Sequence, residues 1–256
     1  MNKHKFNIIL SLFLSALVLV CNYFFEFPLV FLLFIIVVHI GIVLYGILNL
    51  DFNYFFDSIT AGDGLKKEIV LSFDDGPLNQ TRALLSILAQ EKTPAIFFCV
   101  GKNIDKYPEI VKEIAQDGHI IGNHSYSHDH KFDFYSSEKV LAEINQCNEA
   151  IFKIIGKRPL LFRPPNGVSN PMIAKALLAS KLKSIAWNVR TFDTQITDVD
   201  KLYKQTIKKI KPGAIILMHD TMPNTRNLVS KLITYCNETG YEIVALDKLL
   251  NINVYE

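Results

Sequence analysis

The chain has 256 residues, of which 50% are hydrophobic and 20% charged, with a formal net charge of +2. So much apolar content excludes a disordered chain, and 12 glycines and 10 prolines without a short period exclude collagen-like sequence. A charge of +2 gives no broad basic face, so nucleic acid is not an expected partner, and 4 cysteines are too few for a disulfide scaffold.

The apolar excess sits at the start. Residues 1–50 read as a membrane anchor with two apolar runs, 6–25 and 29–48. About 20 apolar residues span a bilayer core, so each run suffices alone. A single straight helix over both would measure about 67 Å, far more than the hydrocarbon thickness. Glu26 and Pro28 break the pattern between them. A cleaved signal peptide is disfavoured, because no small-x-small site precedes Asn22 and a second run follows at once. Lys3 and Lys5 draw the N-terminus to the cytoplasm. Two full crossings would return the rest of the chain there; one crossing would leave it outside.

Residues 51–67 carry no clear periodicity and are expected to be a linker, with a single soluble domain over 68–256. Strand-like runs are Glu68–Phe73, Ala95–Val100, His119–Gly122, Lys183–Asn188, Gly213–Met218 and Tyr241–Ala245, with a short apolar run at Leu160–Phe162. Helix-like runs are Gln80–Gln90, Tyr107–Gln116, Ser137–Ile155, Asn170–Ala179, Val199–Ile210 and Thr225–Thr239. This alternation predicts a parallel α/β sheet or barrel, in which chemistry collects at the carboxyl ends of strands. Pro108 and Asn170-Pro171 mark helix starts, and Gly118 and Gly240 mark helix ends. Cys21, Cys99, Cys147 and Cys236 form no CxxC pair and are expected to be free thiols.

Four clusters follow strands. Asp74-Asp75-Gly76-Pro77 sets two carboxylates side by side, an arrangement that a metal on one and a proton on the other would relieve, although an Asp-Gly turn has the same letters. His124 and His128 are four apart, as two metal ligands on one helical turn would be, with His119 and His130 as weaker candidates. Arg163-Pro164-Pro165-Asn166-Gly167 is a stiff loop that would hold an Arg in one orientation. Leu217-Met218-His219 ends a strand with a group suited to proton transfer near neutral pH.

Together, in this order, the clusters resemble the NodB-type polysaccharide deacetylases, carbohydrate esterase family 4. The matching motifs are Phe73-Asp74-Asp75-Gly76-Pro77, His124-Ser125-x-x-His128, Arg163-x-Pro165-x-Gly167 and Leu217-x-His219. The resemblance implies a distorted (β/α) barrel behind N-terminal transmembrane helices. It also implies a hydrolase of non-peptide amide bonds that removes N-acetyl groups from amino sugars of a cell-surface glycan: peptidoglycan, another polysaccharide or a lipid-linked precursor. It implies Asp75, His124 and His128 as ligands of one divalent metal, zinc foremost with cobalt or manganese as alternatives. Asp74 would be the general base and His219 the general acid. Arg163, Pro165, Asn166 (through its backbone N–H) and Leu217 would form the substrate-binding surface. Such a glycan usually lies outside the cell, which favours an anchored domain facing outward.

Three positions depart from the family pattern. Arg190 stands where an Asp pairing with the motif Arg is expected, Thr194 where a pocket Trp is expected, and Asn166 where an aromatic is frequent. Asp193 is a candidate to bridge Arg163 or Arg190 instead. These departures keep open a deformylase, an O-acetyl esterase, or a carbohydrate-binding relative without turnover.

Overall fold

The computed structural model describes residues 3–256; the first two residues of the 1–50 anchor lie outside it. Two long helices come first, α1 (Lys3–Phe25) and α2 (Val30–Leu48). They are apolar on all sides and largely exposed, so they are not core helices of a soluble domain. They run as an antiparallel pair joined by Ser11 Oγ and His39 Nδ1 at 2.9 Å. Both open ends meet the domain. His4 N–H donates to Tyr54 O, and Ser169 bonds the end of α2. Two crossings by such a pair would leave the N-terminus and the domain on one side.

The domain is a curled sheet of nine strands wrapped by helices. In chain order these are β1 (Ser58–Ile59), β2 (Glu68–Asp74), α3 (Thr81–Gln90), β3 (Ile96–Cys99), α4 (Gly101–Lys106), α5 (Pro108–Gln116), β4 (Ile120–Asn123), α6 (Ser137–Ile155), β5 (Leu161–Phe162), α7 (Pro171–Ser180), β6 (Lys183–Ile185), β7 (Val189–Arg190), α8 (Val199–Ile207), β8 (Ile215–His219), α9 (Thr225–Thr239), β9 (Glu242–Ile243) and α10 (Leu246–Leu250). All ladders are parallel, in the order β1-β6-β5-β4-β3-β2-β8-β7, with β9 also on β2. The run read as one strand, Lys183–Asn188, is broken. Its first part pairs with β5, and after Ala186–Asn188 the chain pairs with β8 as β7. One continuous stretch thus joins the two flanks and closes the sheet into a distorted (β/α) barrel.

Side-chain parity divides the core. Ile69, Leu71 and Phe73 of β2 face outward to the helices, in one cluster with Leu84, Ile110 and Leu228. Val70, Ile96, Phe98, Ile120, Leu161, Ile185 and Ile215 fill the barrel, whose floor is closed by Leu246 of α10 and Val254 near the C-terminus. Local signals place the helices. Asn170 Oδ1 accepts from the N–H groups of Met172 and Ile173, Ser136 caps α6, and Gly118, Gly156 and Gly240 take positive φ at helix ends. The short helices α4 and α10 have too few turns to show a period in sequence.

The expected linker over 51–67 is partly built into the sheet. Ser58 and Ile59 pair with Ser184 and Ile185, and the Ser58 and Ser184 hydroxyls lie 2.6 Å apart, both buried. The segment is too short for a strand period to be read. A chain starting at Thr60 is therefore expected to unfold about 2–8 °C below one starting at Asn53, a loss on the order of 1–2 kcal/mol. Thermal unfolding followed by circular dichroism measures it, and equal midpoints would show that β1 contributes nothing.

Candidate active site

The interior parity that fills the barrel continues at its mouth. Val70 and Ser72 lead to Asp74; Ile120 and Gly122 lead to His124; Leu161 leads to Arg163; Ile215 and Leu217 lead to His219. Asp74 and His219 are directly in register on adjacent strands. The sheet thus brings groups scattered over 146 positions to one opening.

Arg163 is completely buried. Its Nη1 donates to Asp74 Oδ1 at 2.7 Å and to Ser72 Oγ at 3.0 Å; its Nε and Nη2 donate to Ile185 O and Ala186 O. The guanidinium also lies 4.1 Å from the centre of the Phe98 ring. The expectation that Arg163 touches substrate is corrected: it has no exposed surface, and it orients Asp74 from beneath. Burial pulls its pKa down, against the opposing pull of Asp74. An Arg nevertheless stays charged.

His124 Nδ1 donates to Arg163 O at 2.8 Å. A carbonyl only accepts, so this bond assigns the proton to Nδ1 and leaves the Nε2 lone pair free. That Nε2 is 3.5 Å from Asp75 Oδ1 and 3.8 Å from Asp74 Oδ2. His128 Nε2 is 3.1 Å from the same Asp75 oxygen, yet is buried without a hydrogen-bond partner. The two imidazoles are not on a helical turn, as the spacing suggested. They sit on an irregular loop with Ser125 and His128 at positive φ. Asn123 Oδ1 accepts from Ser125 N–H, and Glu143 accepts from the N–H groups of Tyr126 and Ser127. Local side-chain acceptors replace the helical ladder.

Asp75, His124 and His128 offer ligand atoms within 4.8 Å of one another. Separations of 3.1 and 3.5 Å suit tetrahedral ligands at about 2.1 Å from one ion. With the orphaned His128 Nε2 and the fixed His124 tautomer, the donor set fits a divalent metal. Burial alone would raise the Asp75 pKa, but His124 and His128 outweigh it and hold the carboxylate well below its usual range. His119 is buried at the start of β4 and His130 is exposed on the loop; neither joins the cluster.

Asp193 does not bridge Arg163 or Arg190. It receives His219 Nδ1 at 2.8 Å, His219 N–H at 2.7 Å and Thr225 Oγ1 at 2.7 Å. Burial would lower the His219 pKa; the Asp193 carboxylate reverses this and pushes it up to about 8. Arg190 lies over the Phe192 ring instead. Leu217 is buried, Pro165 half-buried and Asn166 exposed, its side chain donating to Asp133 Oδ2 at 2.7 Å. Asp220, which sequence reasoning passed over, lies against Gly76, where any Cβ would overlap its carboxylate. Burial first, then Asp75 and Asp74, push its pKa up to about 7. Its position next to His219 was the available signal.

The polysaccharide deacetylase family profile matches residues 61–185. Peptidoglycan-N-acetylmuramic acid deacetylase PdaA of Bacillus subtilis is 30% identical over 200 residues, covering 76% of each chain. The crystal structure of the Bc1960 peptidoglycan N-acetylglucosamine deacetylase superposes with a TM-score of 0.74 at 29% identity, covering 78% of this chain and 95% of that one. BA3943, a carbohydrate esterase family 4 pseudoenzyme from Bacillus anthracis, superposes with a TM-score of 0.70 at 27% identity, covering 75% and 68%. Barrel and site together define a hydrolase of carbon–nitrogen amide bonds. The chain belongs to the polysaccharide deacetylase family, carbohydrate esterase family 4.

Breaking the buried pair should be severe. Arg163→Met leaves Asp74 buried without its cation and is expected to cost about 3–5 kcal/mol. Denaturant unfolding measures this; a loss below about 1 kcal/mol would show that Asp74 does not depend on Arg163.

Proposed function

We propose that this protein is a membrane-anchored, divalent-metal-dependent deacetylase that removes N-acetyl groups from amino sugars of a cell-surface glycan or its precursor. The observation that carries this reading is the pairing of Asp74 and His219, in register on adjacent strands beside the Asp75, His124 and His128 donors. A carbohydrate-binding relative without turnover would need neither a base held by a buried cation nor an acid held by a buried anion.

Asp75, His124 and His128 would hold the metal, zinc by its preference for this donor set with cobalt or manganese as alternatives. When bound, it supplies a Lewis acid for the acetyl carbonyl and lowers the pKa of water. Asp74, fixed by Arg163, accepts the proton of the attacking water. The water oxygen bonds to the carbonyl carbon. The backbone N–H of Asn166 donates to the developing oxyanion. His219, charged by virtue of Asp193, gives its proton to the amine nitrogen as the carbon–nitrogen bond breaks. Acetate and a free amino sugar result. Leu217 lines the space for the acetyl methyl group.

Acetate release from N-acetylglucosamine oligomers and isolated peptidoglycan tests the reaction. Asp74→Asn keeps an acceptor for Arg163 but loses the base, and should lower kcat about 10²–10⁴-fold with metal still bound. Undiminished release would remove Asp74 from the mechanism.

The acid sets the alkaline limb. Because His219 must carry its proton, activity should fall as pH rises through about 8. Asp193→Asn removes the charge that raises this pKa, so the limb should move to lower pH. An unmoved limb in the pH–rate profile would assign it to another group.

A further inference from the structure

The break between β6 and β7 carries one side chain that the proposed reaction leaves unused. It is Trp187, the single tryptophan of the chain. Its backbone is pinned on both sides. Ala186 O accepts from Arg163 Nη2, and Ala186 N–H donates to Ile59 O at 2.8 Å. On the other side Asn188 Oδ1 accepts from Ile215 N–H at 3.0 Å.

The ring lies against the groups that build the site. Trp187 packs on the apolar set that fills the barrel, and the edge of its ring meets the loop that follows β5. A Cβ on Gly167 would lie 2.6 Å from Trp187 Cη2, so the contact is close. Gly167 follows Asn166, whose backbone N–H is the proposed oxyanion donor. The ring centre is 5.5 Å from Arg163 Cζ, and Arg163 Nη1 holds Asp74 at 2.7 Å. One residue thus separates the ring from the proposed base.

Burial of this ring is incomplete. Trp187 is half-buried, whereas Arg163, Ile185 and Ala186 around it are closed off. Its indole N–H has no hydrogen-bond partner among the described residues and is not sealed from solvent. A buried indole N–H usually finds an acceptor within the protein. An apolar ring with a free donor, beside a concave mouth, matches a pyranose, which offers a face of C–H bonds and a rim of hydroxyls. Asn166 and Thr194 bring no ring to that contact. The pinned backbone fixes the ring beforehand, which lowers the ordering cost of binding.

We infer that Trp187 is a specificity-determining residue: its ring packs on the C–H face of the amino sugar being deacetylated, and its N–H donates to a hydroxyl of that sugar. This deepens the deacetylase reading above and rests on it. The test uses the full chain, metal-loaded, in detergent micelles. The probes are N-acetylglucosamine oligomers and muramidase-released peptidoglycan fragments. With a single tryptophan, emission excited where tyrosine does not absorb reports on Trp187 alone. Asp74→Asn should bind a probe without turning it over. A probe that the unsubstituted chain deacetylates is expected to shift this emission saturably in Asp74→Asn and to protect it from acrylamide quenching. Trp187→Leu is expected to raise KM for the same probe about 3–10-fold with kcat unchanged. Trp187→Phe, which keeps a ring without the donor, should fall between. Emission indifferent to a probe that is turned over, or an unchanged KM in Trp187→Leu, overturns the inference and leaves the deacetylase standing. No acetate from either probe overturns both.

Discussion

The buried bond between Arg163 and Asp74 is the constraint on which the site depends. A fully buried guanidinium is tolerable only when its donors are all received and a negative partner is at hand. Ser72 and Asp74 on β2 supply part of this, and Ile185 O and Ala186 O supply the rest. Those two carbonyls stand where the closing strand breaks between β6 and β7. The break therefore gives Arg163 its acceptors, and Arg163 gives the break a reason to be stable. The same residue's own carbonyl sets the tautomer of His124. One side chain and its backbone couple barrel closure, Asp74 and His124.

Parity along the strands brings Asp74 and His219 together at the mouth. Asp74 and His219 are neighbours by register, yet each has a private partner of opposite charge on its far side, Arg163 for one and Asp193 for the other. Asp193 favours the charged imidazolium of His219. His124 and His128 lie on a loop held by Asn123 and Glu143, and His124 is tied to the first pair through the Arg163 carbonyl.

Much of this was legible in sequence because the motifs lie at strand ends, where the period of two fixes which residue looks inward. Asp74, His124 and His219 could be read that way; Asp75, of opposite parity, and His128, on the loop beyond β4, rest on motif and spacing instead. What escaped depends on contacts between distant segments. The partner of Asp193 could not be read from spacing, because His219 is 26 residues away and on another strand. The apparent departure at Arg190 dissolves in the structure, since the motif Arg reaches Asp74 directly and needs no Asp there. The expected helical turn at His124–His128 failed because the backbone found closer acceptors in side chains. Segment 51–67 looked like a linker because two residues of strand carry no period, and its role is visible only through Ser184 and Ile185.

The altered rim carries a consequence for recognition. Where an aromatic is frequent, Asn166 is committed to Asp133, and Thr194 is exposed and small. Neither side chain offers a ring on which a sugar could stack. The groups at the strand ends are untouched by this, since Arg163 still holds Asp74 and Asp193 still holds His219.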